Sequence, residues 1–398
     1  MDWRRNQAAV TAAAFIGFTG FTLVMPFLPL YFAQLGLTDT SAIAIWSGFS
    51  LGVTPAVTAA MAPIWARAAD RFGRKLMVVR SLGSFVIIMS AMAFVQAPWQ
   101  VFALRALQGV FAGYGPIAMT MAAESAPPEH TAAAIGWVQT AQRLGPALGP
   151  VIGGALAQAV GLRQAFFVSA LFYLIALVVV AWLYREPARH VDPARPASPS
   201  ATFQSLRRVR HFLLFLGAIF GLQLVDRSFG PILPLYLLEA GVTADRVPFL
   251  AGVIFTITAA SAAAGNQACG WLLRRSSAGA LVPAMAALAG VGALAFGLTA
   301  PIAVLSAMAV IFGLGIGVAT TAIYATATNA VPAADRGVAF GYLTTAYLVG
   351  LAISPVLAGF IGSLSMRAVF LADAVGLGVI AWEVRRRMTG STNAAATG

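Results

Sequence analysis

Asp226 and Arg227 stand side by side in GLQLVDRSFGPILPLY (221–236), a run that is otherwise uncharged and mostly apolar or small. A carboxylate in such surroundings has three uses: it binds and releases a proton, it recognises a cation, or it closes a static ion pair. Neighbours on a helix project about 100° apart, so Asp226 and Arg227 cannot both point straight into one cavity. Three more charges fall inside apolar runs: Arg105, three residues before Gln108 in RALQG (105–109), then Arg143 and Asp373. Of the 13 acidic residues only Asp226 lies near the middle of such a run. Arg143 is placed at a comparable depth; Arg143 or Arg105 would compete with a proton for Asp226, and a static ion pair would instead join Asp226 to Arg143 or Arg227. Asp373, about six residues into its run, is the second proton-coupling candidate. Enzyme chemistry finds no matching set. GFSLG (48–52) fits a hydrolase nucleophile pattern but sits in a helical run rather than a strand–turn–helix elbow. Ser50 has no base to serve it, because His130, His190 and His211 all fall at loops or their edges. GLGVIA (376–381) mimics a dinucleotide loop without a preceding strand. No HExxH, Walker A or metal-ligand cluster occurs, so neither enzyme activity nor a cofactor is expected, and the energy source left is an ion gradient.

The elements that hold these residues are membrane helices. The 398 residues are 60% hydrophobic and only 10% charged, with mean hydropathy +0.84, whereas a soluble chain carries roughly a quarter charged residues. Apolar runs long enough to span a bilayer are read at roughly 8–34, 43–66, 76–96, 99–122, 133–157, 163–184, 211–238, 247–273, 279–299, 301–325, 337–361 and 367–384. With the N-terminus in the cytoplasm, 19 of the 25 Lys and Arg residues fall on cytoplasmic segments. The net charge of +12 therefore reports topology by the positive-inside rule and not a nucleic-acid partner. The expected protein is multi-pass in a cell (inner) membrane, with both termini cytoplasmic. The start, MDWRRNQAAVTAAAFIGF, has the charge and apolarity of a signal peptide, but the apolar run continues with no clear small-x-small cleavage site, so a retained first helix is expected. Cys269, the single cysteine, reads as a small packing residue.

The chain repeats itself. PILPLYLLEAGVT (231–243) echoes PFLPLYFAQLGLT (26–38) at an offset of 205, and within one residue the offset also relates Gly48 to Gly252, Pro128 to Pro332, Gly136 to Gly341, GPVIGG (149–154) to SPVLAG (354–359), and RQAFF (163–167) to RAVFL (367–371). A six-helix unit is duplicated. Six being even, both copies insert with the same orientation, as parallel repeats. The expected division is a bundle over 1–184, a Pro-, Ser- and Arg-rich cytoplasmic linker over 185–210, and a bundle over 211–398. Transporters of this plan bind substrate between the halves.

Four motifs carry a family resemblance. ARAADRFGRK, after the second span, resembles the G-x-x-x-D-R-x-G-R-K signature of the major facilitator superfamily at Asp70, Arg71, Gly73, Arg74 and Lys75, with Ala66 in place of the first Gly. The resemblance makes this loop a conformational lock, with Glu124 placed to pair with Arg74. The second half keeps only Gly270, followed by Arg274 and Arg275 without an Asp. RALQG resembles the R-x-x-Q-G motif of proton-coupled exporters. Arg105 and Gln108 share a helix face, although an Arg this near the span's end can also snorkel to the interface. GPALGPVIGG matches the antiporter motif G-x-x-x-G-P-x-x-G-G at Gly145, Gly149, Pro150, Gly153 and Gly154; its glycines permit close helix approach and its proline bends the helix. GFTLVMPFLP matches G-x5-P-x-x-P at Gly20, Pro26 and Pro29. With WRRN, LVMPFLPLY and WQVFALRALQG, the chain resembles the twelve-spanning drug:proton antiporter family over its whole length.

That resemblance implies an all-α polytopic fold of two parallel six-helix repeats, working as a proton-coupled exporter of lipophilic or amphiphilic compounds. Its partners would be a small-molecule substrate, protons and the bilayer, and it would function as a monomer. Helices 1, 4, 7 and 10 line the cavity in this family, which nominates Phe18, Phe21, Gln108, Phe111, Tyr114, Phe220, Gln223, Asp226, Arg227, Phe229, Phe312 and Tyr324. Few convergent polar groups and many rings suit lipophilic ligands. Export of a sugar or amino-acid derivative stays open through Gln34, Gln108, Gln142, Gln223 and Asn266, as does a non-transporting sensor on the same fold.

Overall fold

In lipid every backbone amide must be satisfied within its own segment, so apolar runs of this length become helices. The computed structural model describes residues 3–127, 130–186, 209, 211–298, 301–331 and 336–394, and among these it is all helix and turn. The helices are α1 (Trp3–Val24), α2 (Leu28–Gln34), α3 (Thr40–Phe72), α4 (Arg74–Met92), α5 (Pro98–Phe111), α6 (Tyr114–Ser125), α7 (Thr131–Val160), α8 (Leu162–Leu183), α9 (Phe212–Glu239), α10 (Val247–Leu273), α11 (Ala278–Leu298), α12 (Ile302–Ala330), α13 (Arg336–Leu364) and α14 (Met366–Ala394). With α1–α2 and α5–α6 counted as broken single spans, they make the twelve segments expected. The linker lies outside the described residues over 187–208 and at 210, as do Pro128 and Pro332.

Three departures from the expected spans have local causes. A 3-10 turn, Met25–Phe27, separates α1 from α2 at Pro26, whereas the equivalent prolines Pro231 and Pro234 leave α9 helical throughout. The fourth span is interrupted at Ala112–Gly113, where Gly113 takes φ 121°. The second span is longer than its apolar run: α3 continues through the signature Asp70 and Arg71 to Phe72, and Asp39 caps its start by accepting from Ser41 N and Ala42 N, both at 3.1 Å.

The described chain forms two units. The first holds Met1–Val191 with Leu233–Thr256, and the second holds Asp192–Ile232 with Ile257–Gly398. In the first, α1 packs on α7 and α8, α4 on α8, and α3 on α5; in the second, α11 packs on α14 and α12, and α13 on α14. The α4–α8 and α11–α14 pairs are the same pair of the repeat, third helix against sixth. Gly36 (φ 95°) and Gly241 (φ 87°) mark the same turn in both copies. Each unit is centred on rings: Phe85 on Tyr173 (5.2 Å) in the first, and Phe229 among Phe296, Phe312 and Phe370 (4.7–5.1 Å) in the second.

Candidate functional site

The signature loop is a single residue long. Gly73, between α3 and α4, has φ 106° and ψ 143°, a conformation that side-chain-bearing residues avoid. The tight turn sets the signature residues at two helix ends. Arg74 pairs with Glu124 of α6 and lies 3.8 Å from Asp70. Lys75 Nζ donates to Ala181 O and Tyr184 O, both at 2.8 Å, filling carbonyls left open at the end of α8. Arg71 is exposed, its guanidinium 5.2 Å from the Phe72 ring. A residue outside the motif completes the group. Glu186 Oε1 accepts from the Arg74 backbone N–H at 2.7 Å, placing a carboxylate at the N-terminus of α4. In the sequence Glu186 stood at the edge of a basic linker, with no spacing to tie it to residue 74.

Arg105 is enclosed rather than snorkelling: it is 1% exposed. Its Nε donates to Ser50 O at 3.1 Å, its Nη1 donates to Gln108 Oε1, and the Phe21 ring lies 5.6 Å away. Thr54 Oγ1 donates to Arg105 O at 2.7 Å. Gly109 completes the motif, because a Cβ there would stand 2.7 Å from Thr54 O and 2.8 Å from Val57 Cβ. Below, the broken end of α5 is held by a cluster that the sequence did not reveal. Trp65 Nε1 donates to Val110 O at 2.6 Å, and Arg80 Nη2 donates to Phe111 O at 3.0 Å while its guanidinium lies 3.4 Å from the Trp65 ring centre.

The glycines of 145–154 give α7 two flat faces. A Cβ on Gly145 would stand 2.8 Å from Thr19 N; on Gly149 it would strike Thr22 Oγ1, and on Gly153, Leu23 O. Gly154 faces Pro248 O, and Pro150 O faces Gly252 in return. Backbone therefore meets backbone along α1 on one side and along the 248–252 segment, also part of the first unit, on the other. Arg143 is on an exposed stretch of the same helix.

In the second unit Asp226 and Arg227 pair with each other, Nε to Oδ2 at 3.1 Å. Asp373 of α14 is 8% exposed, with its Oδ2 2.5 Å from Ser228 Oγ; that hydroxyl is also 2.8 Å from Val225 O. Ser228 was missed in the sequence, although the repeat gave a signal: it stands where the first half has Leu23.

Five of the cavity nominations are buried in this structure. Phe229 (4% exposed) is wedged among Phe296, Phe312 and Phe370 of the second unit, and Phe312 is itself 0% exposed. Tyr114 (7%) packs between Phe18 (5.2 Å) and Phe85 (6.4 Å), and Gln108 (0%) accepts from Arg105 through its Oε1. Gln223 is buried too. Phe18, Phe21, Phe111, Phe220, Asp226 and Tyr324 are half-buried and Arg227 exposed, with Tyr324 Oη donating to Leu343 O at 3.5 Å.

The chain is similar to known proteins. Two curated relatives are each called multidrug resistance protein MdtG. The one from Proteus mirabilis (strain HI4320) is 34% identical over 64% of this chain, and the one from Dickeya zeae (strain Ech586) 36% identical over 66%. The chain spans 64% of the length of either relative. Among solved structures, a bacterial homologue of the human lysosomal transporter Spinster superposes with TM-score 0.81 at 18% identity, covering 97% of both chains. A point mutant of the nucleoside transporter NupG gives 0.77 at 13%, covering 96% of this chain and 99% of that one. Those two establish the fold. A family model, Major Facilitator Superfamily, matches residues 10–350 and again 281–396. Twelve helical segments in a duplicated plan, the one-glycine signature turn and a match across nearly the whole chain lead to one assignment: the chain belongs to the Major Facilitator Superfamily.

Proposed function

We propose that this multi-pass membrane protein is a proton-coupled exporter of lipophilic or amphiphilic drug-like compounds, working by alternating access as a monomer in the cell (inner) membrane with both termini cytoplasmic. The observation that carries the reading is the 145–154 segment, where each motif glycine faces another backbone or side chain too closely for any Cβ. Contacts of this kind let helices slide with little side-chain interlocking, which a carrier cycling between states needs. The MdtG relatives point the same way.

In this reading Asp70, Arg71, Gly73, Arg74, Lys75 and Glu124 form the conformational lock, and Asp226, Arg105, Arg143 and Asp373 are the proton-coupling candidates. Phe18, Phe21, Phe111, Asp226, Arg227 and Tyr324 keep the accessible surface for substrate. The bundles are residues 1–184 and 211–398, joined by 185–210. Export of a sugar-like metabolite is less well supported, because three of the five polar side chains it would use are engaged elsewhere. Gln108 accepts from Arg105, Gln142 Nε2 donates to Gly115 O at 3.0 Å, and Asn266 accepts from Thr321 at 2.8 Å.

The test is reconstitution in vesicles under an imposed pH gradient, with lipophilic cations, neutral amphiphiles and organic anions offered in turn. Uphill movement of a lipophilic compound that collapses with the gradient is the expected result. Folded protein that moves no compound would sink the proposal in favour of a sensor.

A further inference from the structure

The two halves of the sequence place different residues at one repeated position, and the difference concerns a proton. At the offsets given above, Gly20 corresponds to Val225, Leu23 to Ser228 and Ser169 to Asp373. In the first unit the buried Ser169 Oγ donates to Gly20 O at 2.6 Å, so one hydroxyl proton joins α8 to α1 directly. In the second unit the equivalent carbonyl, Val225 O, is 2.8 Å from Ser228 Oγ, and that same oxygen is 2.5 Å from Asp373 Oδ2. A hydroxyl has one proton to give and two lone pairs to accept with. Donating to the carbonyl and to a carboxylate at once would split that proton into two weakened three-centre bonds. Both contacts are full hydrogen bonds only if the chain runs from Asp373 Oδ2–H to Ser228 Oγ–H to Val225 O, with the carboxyl holding a proton. The second unit then repeats the first: a donor on the later helix, a carbonyl on the earlier one.

The surroundings suit the neutral acid. Asp373 and Ser228 are 8% and 3% exposed, and among the described residues no ion pair includes Asp373. A buried carboxylate without a cation is expensive. On α9 the nearest charges, Asp226 and Arg227, pair with each other, and Asp226 projects about 200° around the helix from Ser228. The neighbouring α11 carries no titratable side chain, α13 brings Arg336, Tyr342 and Tyr347, and on α14 itself the charges, Arg367, Glu383 and Arg385–Arg387, are all six or more residues away.

We propose that Asp373 is the group that binds and releases the exchanged proton, and that Ser228 positions it and relays its charge state to α9. The assignment rests on the exporter reading above. On release the Asp373 O–H bond breaks, the proton passes to water and the carboxylate keeps the electron pair. The anion then takes the Ser228 hydroxyl proton as its hydrogen bond, and Val225 O loses that bond. Val225 immediately precedes Asp226–Arg227, so the titration of one buried acid is felt in the backbone beside the charged pair. Asp226 is then the partner of Arg227 and not the carrier.

The experiment pairs two readouts on the full chain in lipid vesicles: the infrared carbonyl stretch of a protonated carboxylic acid, followed as a function of pH, and efflux of a lipophilic cationic dye driven by a pH gradient. The native protein should show the band at neutral pH. The band should persist in Asp226→Asn, vanish in Asp373→Asn, shift in frequency and titration midpoint in Ser228→Ala, and return in Ser228→Thr. Asp373→Asn should also lose gradient-driven efflux. A native protein without the band, an unchanged band in Asp373→Asn, or full gradient-driven efflux by that variant overturns the proposal. If the band behaves as stated while the native protein exports nothing, the protonated Asp373–Ser228 relay stands and the exporter reading falls.

Discussion

Arg105 heads the fully buried side chains by size, and its partners show how a membrane helix accommodates a cation. A central Arg costs about 2.5–3.5 kcal/mol on insertion, against which stand Ser50 O, Gln108 Oε1 and the Phe21 ring. The planar fork matters here, because a lysine ammonium cannot reach two acceptors in that geometry. Arg105→Lys is therefore expected to lower both thermal stability and efflux, and Arg105→Ala to lower them further, by about 1–3 kcal/mol for each buried acceptor left unpaired. Thermal unfolding in detergent beside vesicle efflux checks this, and a stable, fully active Arg105→Ala variant would refute it. The pairing of Arg105 with Gln108 was legible from their three-residue spacing. The pairing of Asp226 with its own neighbour Arg227 was open in the sequence beside a pairing with Arg143: backbone projection separates adjacent residues, but an Arg side chain is long enough to fold back.

At the scale of elements, the glycines of α7 differ from one another in a way that can be measured. Gly149 and Gly153 abut Thr22 and Leu23 of α1, while nothing lies within 4 Å of a Cβ built on Gly136 of the same helix. Gly153→Ala forces α1 away and is expected to cost about 1–3 kcal/mol and most of the efflux. Gly136→Ala should stabilise by up to about 1 kcal/mol through helix propensity alone. Equal effects of the two substitutions on thermal stability and dye efflux would contradict this reading. The helices themselves were legible because lipid enforces long apolar runs, and the breaks less so. The same Pro-x-x-Pro spacing interrupts the first span at Pro26 and leaves α9 continuous at Pro231, so proline spacing alone does not decide a break. Gly113 was indistinguishable from the many packing glycines. What singles it out is the pair of side chains, Trp65 and Arg80, that serve the carbonyls beside it. Burial was the other blind spot: periodicity places Phe229 and Tyr114 on helices but does not say which ring faces its own bundle.

For the whole molecule, the duplicated sequence and the compact units do not share a boundary, since Leu233–Thr256 packs within the first unit. If the chain is expressed as two fragments cut in the 185–210 linker, the second fragment carries Pro248 and Gly252 to their places against Gly154 and Pro150. The fragments are therefore expected to co-purify from membranes through a tag on one of them, and Gly252→Leu should weaken recovery of the untagged one. Independent elution of the fragments would show that the linker is needed to hold them. The broken fourth span bears on biosynthesis. Its pieces have 14 and 12 residues, about 21 and 18 Å of helix against a hydrocarbon layer of about 30 Å, and the first carries Arg105. Ser50, Trp65 and Arg80, which satisfy that cation and the exposed carbonyls, all belong to α3 and α4 and leave the ribosome first. The fourth span thus enters the bilayer as a guest of two helices already there, and order of synthesis becomes part of the folding code.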